Sequence, residues 1–294
     1  MKMKYMSRIQ SNLKQCRTIR ARKATTRVLD GSYRSVYKGR SMNFDELREY
    51  VPGDDIKDMD WKASARSRKL LMRQYVAEKK HNMMLVMDTN CRMLADTETG
   101  QEKREVALLS AGTLAYLISR NGDYVGAMFE TAASKQYFPC KTGLMNVEHI
   151  LCHYDKEVTR DNKSDFNSVL QYILKNIRSH MLLILVTDME GVRSLTDMML
   201  RRLLVMHDVL ILTVSDMEMS GDRCFAVENN SYLPAFLSED RKLLLRQQKR
   251  RNEIKEACTE KLKKYGIAWV TIHQQDEIEE KLVELLNKHK LEKR

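Results

Sequence analysis

Asn82-Met83-Met84-Leu85-Val86-Met87-Asp88 is one polar residue, five apolar residues in a row, and an aspartate. A strand with one wet face would alternate. A run that is apolar on both faces belongs at the centre of a parallel sheet covered by helices on either side. The downstream residues suit that placement. Residues 102–119 make a helix that is apolar almost all round after its first turn, so it should lie buried against the sheet. Asn121-Gly122-Asp123 turns the chain into a strand over 124–129, and 134–139 pairs back antiparallel. Helices over 145–154 and 166–177, a strand over 181–187, a helix over 195–206 and a strand over 209–214 continue the alternation. A long polar helix over 239–264, a strand over 267–272 and a helix over 276–288, capped by Asp276, close it. Upstream, 70–77 reads as a further strand. Strand then helix, repeated, predicts an α/β fold with a doubly wound, mostly parallel sheet.

Composition narrows the class. A chain of 294 residues with 43% hydrophobic and 31% charged residues can bury a full α/β core. Three prolines and 11 glycines leave little for long linkers. No apolar run reaches the roughly 20 residues that cross a bilayer, and the opening residues lack the apolar stretch of an export signal. The expectation is a cytoplasmic protein with six scattered, reduced cysteines. The net charge of +11 is carried by residues 1–40, which hold 12 Lys and Arg against the single acid Asp30; the remaining residues balance. Within that arm Met6, Ile9, Leu13 and Cys16 form a thin apolar stripe among Arg8, Lys14, Arg17, Arg20 and Arg22, a basic amphipathic helix ending near Lys23. Such a helix docks on its own domain, or meets nucleic acid or an anionic membrane through residues 1–27.

Between the arm and the core, residues 39–73 read GRSMNFDELREYVPGDDIKDMDWKASARSRKLLMR. No single period fits this stretch, which predicts an ordered connection rather than a regular element. Pro52-Gly53-Asp54-Asp55 is a turn signal. Arg48, Asp54, Asp60 and Arg66 are expected to pair their charges around a buried Trp61. The four carboxylates Asp54, Asp55, Asp58 and Asp60 are interleaved with Arg48, Lys57, Lys62 and Arg66, which favours ion pairing over a metal cage.

The same residues carry a family resemblance. The run F-x-E-L-R-x-Y-x-P-G-D-D followed by D-W-x-x-x-A-R resembles domain-of-unknown-function family fifty-eight. Phe44, Glu46, Leu47, Arg48, Tyr50, Pro52, Gly53, Asp54, Asp55, Asp60, Trp61, Ala65 and Arg66 all match. The resemblance implies a von Willebrand factor A type of sheet, with the N-terminal basic helix and the signature segment (residues 1–80) wrapping a core domain of residues 81–294. It also implies a partnership with MoxR-type AAA+ ATPases and with other von Willebrand factor A-like proteins.

In doubly wound sheets, ligands sit beyond the carboxyl ends of the strands at the switch point in strand order. Two apolar strands here run into Asp88 and Asp188, and Ser164-Asp165 leads a helix nearby. Oxygens gathered this way suit a hard divalent cation. In von Willebrand factor A domains the resembling site is D-x-S-x-S on the first strand, a Thr and a later Asp. This chain reads Asp88-Thr89-Asn90-Cys91-Arg92, and its best match to the Thr is Ser164. A bound Mg²⁺ or Mn²⁺ would use Asp88, Asn90, Ser164 and Asp188. Arg92 has donors only and keeps its charge, which opposes a cation. The expected arrangement has no metal: Arg92, or water, stands in for the ion and pairs with Asp88 or Asp188.

His149 and His153 share a helix face, but Ile150 occupies the place of the glutamate that a metalloprotease helix requires. The chain has no P-loop, no nucleophile elbow and no dinucleotide fingerprint, so it reads as a non-enzyme. The resulting expectation is a protein-interaction domain that recognises its partner through the rim Asp88, Asn90, Arg92, Ser164 and Asp188. The segment from Phe44 to Arg66 would be a second docking feature or a brace.

Overall fold

The computed structural model describes residues 3–15, 46–51, 56, 59–74, 81–217, 225–227, 231–232 and 241–292. Phe44, Pro52, Gly53, Asp54, Asp55 and Asp58, and the stretch of the arm from Cys16 on, lie outside them.

Six strands form the central sheet: β3 (Asn82–Met87), β4 (Tyr124–Glu130), β5 (Lys135–Lys141), β6 (Leu182–Asp188), β7 (Asp208–Val214) and β10 (Ala268–Ile272). Their spatial order is β10-β7-β6-β3-β4-β5, and every pair is parallel except β4 with β5. The chain leaves β3 toward β4 on one side and returns to β6 on the other, so the switch point lies between β3 and β6. The fold is therefore the doubly wound, mostly parallel arrangement that the apolar run 83–87 requires. Within β3, Met83, Leu85 and Met87 enter one core while Met84 and Val86 enter the other.

The first core is closed by α1 (Lys4–Gln15), α3 (Lys103–Arg120), α4 (Leu144–Glu157) and α9 (Ile278–Glu292). The second is closed by α5 (Phe166–Asn176), α6 (Met189–Ser194), α7 (Asp197–Met206) and α8 (Arg241–Lys264). In α1 the apolar stripe is spent on its own domain, since Met6, Ile9 and Leu13 are all buried. The buried carboxylate of Glu148 accepts the N–H groups of Lys4 (2.7 Å), Tyr5 (3.0 Å) and Met6 (2.7 Å), which have no partner inside the helix. Ile9 reaches α3 where Gly112 lacks a side chain, and a Cβ there would collide with Ile9 Cδ1.

Three expectations are corrected. The signature segment is not an irregular connection throughout: β1 (Glu46–Glu49) pairs antiparallel with β2 (Leu71–Gln74), and α2 (Trp61–Ser67) lies between them. The predicted helix over 195–206 is α7 and starts two residues later, because Leu195 and Thr196 are extended and the Thr196 side chain caps it, and α6 before it is unexpected. Asp276 does not open the last helix. A short 3-10 turn, Gln275–Glu277, precedes it, and Gln274 and Glu277 form a capping box there. The small strands β8 (Phe225–Ala226) and β9 (Ser231–Tyr232) pair with each other outside the main sheet.

Candidate functional site at the switch point

β3 and β6 end side by side, and Asp88 donates its N–H to the Val186 carbonyl at 2.9 Å. The carboxylates of Asp88 and Asp188, at 2% and 1% exposure, therefore face one crevice. Arg92 fills it. Its Nη2 lies 3.3 Å from Asp88 Oδ2 and its Nε 3.3 Å from Asp188 Oδ2. The backbone aims this side chain. Asn90 Oδ1 accepts the Arg92 N–H at 3.0 Å and starts a 3-10 turn, Cys91–Leu94, that carries the guanidinium back over the strand ends.

Each carboxylate has a second set of partners. Asp88 accepts the Thr187 hydroxyl at 2.7 Å and the Asn90 N–H at 3.0 Å. Asp188 caps α6 by accepting the Gly191 N–H at 2.9 Å. A Cβ on Gly191 would overlap the Thr187 hydroxyl, so only glycine lets α6 start this close to β6. Lys103, buried at the start of α3, lies 3.4 Å from Asp188 Oδ2 and also pairs with Asp216. The Tyr154 hydroxyl, fully buried, donates to the Asp88 carbonyl at 3.0 Å.

Ser164 occupies the neighbouring side of the rim. Its hydroxyl accepts from Thr89 at 3.1 Å and its carbonyl accepts the Asn90 amide at 2.9 Å. It is thus joined to the site through Asn90, and its bonds run to Thr89, Asn90 and Asn162. Asp165 is spent on capping α5 through the Asn167 N–H.

The two carboxylates titrate differently. Burial, together with the neighbouring Asp188 charge, pushes Asp88 up to about 6, against the pull of Arg92. Burial acts on Asp188 as well, but Lys103 and Arg92 outweigh it and hold its carboxyl below the ordinary carboxylate range. A proton entering the crevice therefore goes to Asp88.

This set does not fit a divalent cation. Two fixed positive groups already neutralise the acids, and the Asn90 oxygen that could have joined a coordination shell is turned to its own 3-10 turn. Lys103, Asp216, Thr187 and Tyr154 are site residues that the sequence reading does not pick out. Asp216 leaves a trace, since Val214-Ser215-Asp216 is a third apolar strand running out into an aspartate.

The signature residues lie elsewhere. Asp60 Oδ1 caps α2 by accepting the N–H groups of Lys62 and Ala63, both at 3.0 Å. Trp61, expected to be buried, is 63% exposed, because the first position of α2 turns its side chain outward. Arg66 is exposed near the end of the same helix, Tyr50 donates its N–H to Leu70, and Glu46 and Arg48 are placed by backbone pairing in β1. His149 and His153 stand Nε2 to Nε2 at 3.0 Å with the Phe138 ring against both.

An uncharacterized protein of Mycobacterium tuberculosis is 32% identical over 116 residues, covering 40% of this chain and 36% of the relative. The uncharacterized protein YeaD of Bacillus subtilis is 30% identical over 107 residues, 36% of this chain and 24% of the relative. The chain thus spans about a third or less of the length of these curated relatives. Among solved structures, the conserved hypothetical protein BatB from Bacteroides thetaiotaomicron aligns with a TM-score of 0.46 at 15% identity, over 71% of this chain and 98% of that one. A von Willebrand factor type A protein from Catenulispora acidiphila aligns at 0.40 and 10% identity, over 74% of this chain and 43% of that one. The model of the family described as protein of unknown function DUF58 matches residues 46–222, more than half of the chain, and the protein belongs to that family.

Proposed function

We propose that this protein is a non-enzymatic, cytoplasmic protein-interaction domain whose switch-point crevice is a degenerate metal-ion-dependent adhesion site. Its partner is a MoxR-type AAA+ ATPase, and it acts as an adaptor in assembling or maturing protein complexes. One observation carries the reading: the Arg92 guanidinium bridges Asp88 and Asp188 in the place where such a site would hold its ion. A cation in that position would grip a carboxylate on a partner. A guanidinium offers the same sign of charge with fixed directional donors, and Arg92 keeps 23% of its side chain exposed at the rim. The crevice supplies no nucleophile and no base aimed at open solvent, because the acids are capped, paired and buried. Among the described residues, no helix is long and apolar enough to cross a membrane.

Calorimetric titration with magnesium and with manganese tests the degenerate site, and no binding isotherm is expected. A saturable isotherm that disappears in Asp88→Ala would overturn the reading. The partnership is tested by co-purification with a MoxR-type AAA+ ATPase, where Arg92→Gln should weaken capture while the chain stays folded by circular dichroism.

A further inference from the structure

The first half of α8, from Arg241 to Asn252, holds Arg241, Lys242, Arg246, Lys249, Arg250 and Arg251 and no acid. Residues 41–294 are neutral as a whole, so this is a local concentration and separate from the basic arm. At 3.6 residues per turn, Lys242, Arg246, Lys249 and Arg250 fall within an arc of about 100°. All four are exposed. Arg246, Lys249 and Arg250 make no ion pair among the described residues, whereas Lys261 and Lys264 at the far end of the same helix are held by Leu195 and Asp197.

Like charges stand four apart at Arg246/Arg250 and three apart at Arg246/Lys249, spacings at which they repel on a helix. An external polyanion would relieve that repulsion.

We propose that this half of α8 is a sequence-independent binding surface for the phosphate backbone of nucleic acid. Cations four residues apart rise about 6 Å along the helix. That is close to every second phosphate of one strand, roughly 6.8 Å along its axis. The stripe has Gln247, Gln248 and Asn252 beside it and no aromatic ring, so it grips backbone and does not stack bases. Leu245 is its exposed large apolar residue at 57%, too little apolar surface for a membrane-inserting face.

The test is fluorescence anisotropy of the full chain with labelled oligonucleotides of about 30 nucleotides, single-stranded and duplex, as salt is varied. The variant Arg246→Gln/Lys249→Gln/Arg250→Gln should bind at least about tenfold more weakly at 0.1 M salt. Its slope of log affinity against log salt should be shallower by about 2 to 3. Its urea midpoint should equal or exceed that of the parent, because repulsion has been removed. If the triple variant fails to fold, Arg250→Gln alone should still lower the slope by about 0.7–0.9. A matched variant in the arm, Arg17→Gln/Arg20→Gln/Arg22→Gln, should keep the part of the slope that α8 supplies. The proposal is overturned if neither oligonucleotide binds at about 0.05 M salt, or if the α8 variant binds like the parent. Equal capture of the parent by polyglutamate or by phosphatidylserine vesicles, lost in the same variant, would overturn it in favour of an acidic protein or a membrane.

Discussion

Two regions of this molecule concentrate charge beside a turn, and they treat it in opposite ways. At the switch point Asp88 and Asp188, with the aid of Arg92 and Lys103, are sunk to a few per cent exposure and satisfy one another. In the signature hairpin Asp60 is turned inward to cap α2, and Lys62, Arg66 and the Trp61 ring are left facing solvent. The crevice is held together by its charges and has little latitude to change. The hairpin keeps its shape through backbone pairing between β1 and β2 and through a cap, so its exposed side chains are available for contact. Buried charge specifies geometry only while every partner is present. An exposed aromatic on a small, backbone-held unit is free to serve a partner.

The largest effect should come from breaking the buried side. Asp188→Ala removes the carboxylate that receives Arg92 and Lys103 and caps α6. Arg92 would keep Asp88 and Lys103 would keep Asp216, but both would lose the carboxylate between them, so destabilisation of about 3–5 kcal/mol is expected by urea unfolding. A loss below about 1 kcal/mol would mean that the crevice relaxes as easily as an exposed surface, and the contrast between the two regions would fail.

A pH series sharpens the contrast. The Asp88 carboxyl in the folded chain is raised from the usual 3.8 to about 6, so the folded state holds its proton over a range where the unfolded chain has released it. Stability contributed by this group is therefore full below pH 4, falls as pH rises from about 4 to 6, and is flat above that. A shift of about two units corresponds to roughly 3 kcal/mol. The difference in unfolding free energy between the parent and Asp88→Asn should change across that window. Asp188, depressed by Lys103 and Arg92, contributes with the opposite sign and loses its stabilisation at more acid pH.

Much of this architecture can be read from residues alone, for a physical reason. A strand buried on both faces must be apolar nearly throughout, so β3, β6 and β7 announce themselves, and the first charged residue after such a run marks the sheet edge. That places Asp88 and Asp188 together. The same logic is silent on Lys103, since a lysine in a helix's first turn ordinarily reaches water. Its burial follows from three strand ends converging on one point. It is equally silent on α6, a six-residue helix with Gly191 in its first turn, which exists because Asp188 caps it and Gly191 clears Thr187. The burial expected of Trp61 fails because a large aromatic is usually assigned to the interior, whereas its place at the first position of a short helix is fixed by the Asp60 cap.

The smallest effect on folding is expected at that tryptophan. At 63% exposure its side chain has little buried area to lose, so Trp61→Ala should shift stability by no more than about 0.5 kcal/mol. The circular dichroism spectrum should be unchanged. Capture of the proposed AAA+ ATPase partner should fall in the same variant if the hairpin is a docking feature, because an exposed ring on a backbone-held unit gains buried area only when a partner covers it. A brace would give the reverse result, a large loss of stability with partner binding lost only through unfolding. The two regions would then share one structural role, and the exposed ring would have to be covered in solution by another part of the chain.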